Sequence, residues 1–399
     1  MLEELARIGR DPATNGYVRD SWSPADLELR EWFRGEATKR GLDLREDRNG
    51  NLWAWWGDPS RQPGVVTGSH LDSVRQGGAF DGPLGVVSAF AALDVLRGRG
   101  FSPRTPLGIA CFTDEEGARF GVPCVGSRLM TGVLDPGKAL SLTDDDGDTL
   151  SDVMARAGRD PYRIGRDDET LATVGTFVEL HVEQGRGLVE QGCPVGVASA
   201  IWPHGRWRFD FRGQANHAGT TRLADREDPM LPFARMVLAA REVAEREGVV
   251  ATVGKVRITP NNANAVPGLV SAWLDARGAT EAGVRALVTE LARDADVAEE
   301  SWTPVVDFEH SLRDRLALVV GSTVGSGIGG GGGGDTPAPV LPTGAGHDAG
   351  ILATAGVPSA MLFVRNPTGV SHSPEEHAEQ ADCEAGVVAL ANVLEDLCR

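Results

Sequence analysis

The 399-residue chain lacks any apolar run long enough to cross a bilayer. Basic residues are in the minority: 39 Lys and Arg stand against 57 Asp and Glu, a formal charge of −18. So acidic a chain is repelled by phosphate backbones and anionic lipid, so neither nucleic acid nor a membrane surface is an expected partner. Cysteine is scarce. Cys111, Cys124, Cys193, Cys383 and Cys398 make an odd number, and no two form a Cys-x-x-Cys pair. Reduced, buried thiols are the expected state. The start, Met1-Leu2-Glu3-Glu4-Leu5, lacks the basic-then-apolar layout of a secretory signal, so a cytoplasmic location is expected. Histidine is also rare, at eight, which makes its placement informative.

What is present reads as an ordinary globular composition, 41% hydrophobic and 24% charged. The length exceeds what one core usually serves, so two domains are expected. Residues 23–40 predict an amphipathic helix, with Ser23 as N-cap, Pro24 in the first turn and Gly41 beyond its end. Val65–Gly68 predicts a buried strand, 84–97 an apolar helix, Leu107–Phe112 and Phe177–His181 two more strands. Strands alternating with helices imply an α/β class with a mostly parallel sheet. Near residue 200 the pattern changes. Arg206–Arg212 alternates with period two, as do Val253–Ile258 and Leu269–Ala276, with helical stretches at 229–246 and 280–295. This predicts a smaller α+β unit at 200–317, inserted between the two parts of the first domain, 1–199 and 318–399. A helix is expected at 311–321, a strand at Ala360–Val364 and a helix at 384–397. The run Gly325–Gly334 reads as a flexible loop, because no Gly-Lys-Ser/Thr follows to make it a phosphate cradle.

Five candidate ligands fall beside these strands: His70, Asp81, Glu116, His181 and His372. Each alone has a plainer reading: a core histidine, a helix-capping aspartate, a solvated acidic loop. Together they form the mixed imidazole and carboxylate set that suits Zn²⁺ or Mn²⁺, with Co²⁺ also tolerated and positions left for water. Asp72, two residues after His70, is placed to accept that ring's other N–H. Glu115 sits beside Glu116, so one acid can bind metal while the other serves as general base. Spacing does not assign those two roles; Glu116 is taken as the ligand. In the inserted unit, His217 lies in a Gly-flanked polar loop that could present an oxyanion donor, and Asn264 and Arg277 could bind a carboxylate. The plainer reading of Arg277 is a surface charge at a strand end.

The blocks GSHLDSVRQGGAFDGPLGV, FTDEEGARFG, ELHVEQG, GQANHAGTT, NNANAVPG, LDAR, GAGHDA and VSHSPEE run in order from residue 68 to 376. Together they resemble the amidase/carbamoylase branch of the aminoacylase and carboxypeptidase-type zinc peptidase superfamily, which includes allantoate amidohydrolases, N-carbamoyl-L-amino acid hydrolases and β-ureidopropionases. The resemblance implies two divalent ions per subunit bridged by Asp81, one completed by His70 and His181, the other by Glu116 and His372. It implies Glu115 as acid/base, and Gln184, His217, Asn264, Arg277, Gly346 and His347 as substrate contacts. It also implies a homodimer formed through the inserted unit, with His217 serving the partner's site. Residues 202–204 depart from the pattern: relatives often carry a small residue, Gly and Gln where this chain has Trp-Pro-His, so His204 would stand in for a substrate-touching Gln. The implied reaction is hydrolysis of a linear C–N bond in a small ureido acid. Allantoate is the first choice, from the FVRNPTGVSHSPEE ending, and an N-carbamoyl-L-amino acid or N-carbamoyl-β-alanine the alternative. An aminoacylase or dipeptidase fits the GQANHAGTT and LDAR blocks less well. A non-catalytic metal-binding protein would have no use for the spare base Glu115.

Overall fold

A computed structural model describes residues 1–325 and 336–399 of the chain. The glycine run from 326 onward lies outside the described residues. The chain divides into two compact units, Met1–Ser199 with Asp307–Arg399, and Ala200–Val306.

The first unit is built on a nine-stranded mixed sheet. Its middle is parallel: Leu107–Phe112, Gly64–His70, Val174–Val182 and Ser359–Val364 lie side by side in that order. All residues of the first, second and fourth of these are buried, as strands covered on both faces must be. Antiparallel strands flank this centre. Leu52–Trp56 pairs with Leu107–Phe112, and Val195–Ile201 with Ser359–Val364. The expected parallel character thus holds for the central four strands.

Helices Pro24–Lys39, Pro83–Gly98, His310–Gly325 and Gln380–Leu397 share one core with the sheet. Phe33, Phe90, Leu93, Leu316, Leu390 and Leu394 meet Ile109, Val178, Leu180 and Leu362 there. Each such buried side chain contributes roughly 1.5–3 kcal/mol. The first helix begins as the sequence predicts: the Ser23 hydroxyl accepts the Asp26 N–H and Pro24 occupies the first turn. The domain boundary differs from expectation. Residues 307–317 belong to the first unit, because His310–Gly325 is one helix whose Leu312, Leu316, Ala317 and Val320 join the first unit's core.

The second unit is a four-stranded antiparallel sheet in the order Asp296–Thr303, His204–Arg212, Leu269–Gly278, Val249–Thr259. Trp207, Phe209 and Phe211 alternate along their strand and pack on Met236, Ala240 and Val243 of helix Met230–Glu247 and Leu287 of Glu281–Leu291. The intervening Arg206, Arg208, Asp210 and Arg212 are exposed or half-buried, the two-residue period read from the sequence.

Candidate metal centre

Parallel strands carry their sites at their C-terminal ends, and the candidate ligands gather there. His70 is the last residue of its strand, and His181 the last but one of Val174–Val182. Glu115 and Glu116 follow Leu107–Phe112, His372 follows Ser359–Val364, and Asp81 precedes helix Pro83–Gly98. Gly82 joins Asp81 to that helix with φ +81°, and a β-carbon there would lie 2.4 Å from His70 Cε1. Only glycine admits both the backbone angle and the closeness of the ring.

Two ligand triads result, His70–Asp81–His181 and Asp81–Glu116–His372, each with its ligand atoms within 4.8 Å of one another. Asp81 belongs to both, through different oxygens. Its Oδ1 is 3.2 Å from His181 Nε2 and 3.6 Å from His70 Nε2, while Oδ2 is 3.4 Å from His372 Nε2. His372 Nε2 is 3.6 Å from Glu116 Oε2.

The two buried imidazoles are prepared as ligands. His70 Nδ1 lies 3.0 Å from the Asp72 carbonyl and His181 Nδ1 lies 2.9 Å from the Val182 carbonyl. A carbonyl only accepts, so each ring carries a hydrogen on Nδ1, which leaves Nε2 as the atom able to bind a cation once it holds no proton. Both Nε2 atoms are buried without a hydrogen bond among the described residues. Such orphaned atoms are costly unless something fills the space between them. A pair of divalent cations fits this donor set.

A second layer holds the ligands, and here one expectation is corrected. The Asp72 carboxylate does not take the His70 N–H, from which Oδ1 is 3.7 Å away; the Asp72 backbone carbonyl does. The carboxylate instead accepts the backbone N–H of Glu115 at 3.2 Å and of Glu116 at 3.0 Å. Gln184, expected against substrate, donates from Nε2 to Asp81 Oδ2 at 2.9 Å and to Ser371 Oγ at 3.1 Å. His347 is buried with its ring 4.5 Å from that of His181, and Gly346 precedes it. Four groups were not singled out from sequence. Glu376 accepts the N–H of Phe80 and Asp81 and the Ser371 hydroxyl. Glu179 accepts from Ser69 and from the Ala349 N–H. Asp348 accepts from Ser127, and Cys124 donates to Glu115. Glu376 and Asp348 lie inside the VSHSPEE and GAGHDA blocks, but no spacing rule says what they touch.

Electrostatically the site holds more buried acid than its imidazoles can match. Burial, and then the neighbouring charges of Asp348, Glu116 and Asp72, raise the Glu115 carboxyl well above its usual range despite His70. Burial and Asp81 push Glu116 up to about 7. Burial and Glu179 push Asp348 up to about 8. Burial also acts against ionised Asp81, but His181, His372 and His70 outweigh it and hold that carboxyl well below the ordinary value. Its hydrogen bond to Asp81 raises His372 to about 9. Added positive charge would relieve this crowding of acids.

The remaining sequence candidates sit in the second unit, in two pairs. His217 and Ala265 are register partners across a short antiparallel ladder, and the Ala218 N–H donates to the Asn264 carbonyl. His204 and Arg277 are partners between adjacent strands, which puts their side chains on one face. Arg277 is ion-paired to Asp275, Nε to Oδ1 at 2.7 Å. His217 and Asn264 are exposed.

The model for peptidase family M20/M25/M40 matches residues 66–396. The chain belongs to that family. An N-carbamoyl-L-amino acid amidohydrolase of Geobacillus stearothermophilus is 36% identical over 408 residues, covering 100% of this chain and 97% of that protein. The allantoate amidohydrolase of Escherichia coli (strain K12) is 32% identical, covering 99% and 96%. Among solved structures, a hydantoinase/carbamoylase family amidase from Burkholderia vietnamiensis superposes with a TM-score of 0.86 at 29% identity, covering 100% of this chain and 96% of that one. Within the M20 family, this member falls with the hydantoinase/carbamoylase amidohydrolases and is a hydrolase of non-peptide C–N bonds. Among the described residues no helix is long and apolar enough to cross a membrane.

Proposed function

We propose that the protein hydrolyses the carbamoyl C–N bond of an N-carbamoyl-L-amino acid. The observation that carries hydrolysis is the pair of triads sharing Asp81, with Glu115 Oε2 3.8 Å from His70 Nε2. The carbamoylase relative at 36% identity favours this substrate over allantoate, whose hydrolase is at 32%. Allantoate thereby moves from first choice to second reading.

His70, Asp81 and His181 would hold one divalent ion, and Asp81, Glu116 and His372 the other. Ions there would polarise the carbamoyl oxygen and make water a stronger acid. Glu115 takes a proton from the attacking water as the C–O bond forms. It returns that proton to the amino-acid nitrogen as the C–N bond breaks. The free amino acid leaves, and the carbamate falls apart to ammonia and carbon dioxide. Of the second unit's residues, Arg277 and Asn264 take the substrate carboxylate, His204 touches substrate in place of a Gln, and His217 donates to the oxyanion. The family resemblance supports the assignments of Arg277, Asn264 and His217, as it does those of Gly346 and His347, whereas at His204 the chain departs from the family pattern.

The same resemblance supports a homodimer through the second unit. The 11-residue strand Val249–Thr259 ends that sheet, with Val250 and Val256 exposed; an uncovered edge of this length is a template for pairing with a second copy. Sedimentation of the full chain tests this, with a dimer expected.

The deciding experiment is a hydrolysis screen of N-carbamoyl-L-amino acids, N-carbamoyl-β-alanine and allantoate after stripping the protein and reloading it with Zn²⁺, Mn²⁺ or Co²⁺. N-carbamoyl-L-amino acids are expected to give the highest kcat/KM. A preference for allantoate would reverse the order of the two readings, and turnover of none of them would remove both.

A further inference from the structure

We propose that Cys124 is a positioning residue, holding the Glu115 carboxylate with one oxygen engaged and the other turned toward the ligand cluster. This rests on the reading of Glu115 as the general base.

The Cys124 thiol donates to Glu115 Oε1 at 3.2 Å, and its backbone N–H donates to the Glu115 carbonyl at 2.6 Å. One residue therefore grips both the main chain and the side chain of the base. The grip depends on an unusual backbone. Cys124 has φ +55°, a left-handed conformation that non-glycine residues seldom adopt, immediately before helix Val125–Thr131. Its side chain is buried, so the donor faces the carboxylate and not water. Glu115 Oε1 is thus occupied, while Oε2 is the atom 3.8 Å from His70 Nε2. From the other side, the Asp72 carboxylate anchors the Glu115 N–H.

A glutamate has three side-chain torsions. A base that must meet a water in one place gains from having them fixed, and small misplacements of a reacting group can cost about a hundredfold in rate. A thiol is a weak donor, suited to orienting the carboxylate without competing strongly for its charge.

The test compares Cys124→Ala, Cys124→Gly and Cys124→Ser in the metal-loaded full chain, on the N-carbamoyl-L-amino acid turned over fastest. Ala and Gly remove the donor; Gly also tolerates the left-handed backbone, so it stays informative if Ala fails to fold. Ser restores a donor. Ala and Gly are expected to lower kcat about 10- to 100-fold, with KM within about twofold and ion content unchanged. Ser is expected to recover most of the loss. In a Glu115→Gln background, Cys124→Ala is expected to cost nothing further. Wild-type kcat in Ala or Gly, or Ser as impaired as both, would overturn the assignment of Cys124 while leaving Glu115 standing. Normal turnover by Glu115→Gln alone would remove the base reading itself.

Discussion

Asp72 accepts the backbone N–H of Glu116 at 3.0 Å, although the two residues are 44 positions apart. Its other oxygen takes the Glu115 N–H, so one buried carboxylate fixes the turn that carries both acids. Asp72→Ala leaves two N–H groups unsatisfied in the interior. A loss of roughly 1–3 kcal/mol in stability is expected, read by urea unfolding of the chelated protein. Turnover should fall with it, because the proposed base and a proposed ligand share that turn. Unchanged stability would show that water or another acceptor replaces Asp72.

Glu115 is buried beside the triads, yet it is not needed to complete either of them. Glu115→Gln should therefore bind the same complement of ions as wild type while kcat falls by about 10²–10⁴. Steady-state kinetics with parallel metal analysis separates these effects. Loss of an ion from this variant would make Glu115 a ligand instead.

Metal loading should release protons. His372 is raised to about 9, by its hydrogen bond to Asp81 first, and so is protonated at neutral pH. Glu116, raised to about 7 by burial and Asp81, is then about half protonated. Cation binding requires both in their basic forms. Titrating chelated protein with Zn²⁺ at pH 7 in weak buffer should acidify the solution by at least one proton per chain, and His372→Ala should release fewer. No release would contradict these ligands.

Asp47 supplies a stability signature away from the triads. It accepts the N–H groups of Asn49 and Asn51, the Asn51 side chain and the Trp53 indole, and burial pushes its carboxyl up to about 6 from an ordinary 3.8. The folded state holds its proton more tightly than the unfolded state. The contribution of this group is therefore most favourable below the ordinary value and is lost as pH rises toward 6. The change is on the order of 2–3 kcal/mol. Urea midpoints of wild type and Asp47→Asn, chelated, should diverge in favour of wild type as pH falls from 7 to 4. A constant difference across that range would show that Asp47 titrates normally.

Much of the fold was legible because its signals are local. The strand Leu107–Phe112 has the bounds its apolar run suggests, and helices near 84–97 and 384–397 differ from Pro83–Gly98 and Gln380–Leu397 by a few residues. The candidate ligands were legible because histidine is rare and His70, His181 and His372 each end or follow a strand predicted from the sequence. What escaped was long-range. Asp81 and Glu376 are 295 positions apart in sequence, and that separation hides a direct hydrogen bond. Nothing in Asp72 tells whether its carbonyl or its carboxylate meets His70. Nor does the sequence of helix His310–Gly325 say which core it enters.

Every chemical step above depends on Asp81 serving two cations at once. Metal content of the reloaded protein, measured by atomic emission on wild type and Asp81→Ala with His181→Ala as the single-site control, tests this most directly. Two ions per chain are expected in wild type, about one in His181→Ala, and fewer than one in Asp81→Ala. One ion or none in wild type, or two retained without Asp81, would contradict the shared-carboxylate centre.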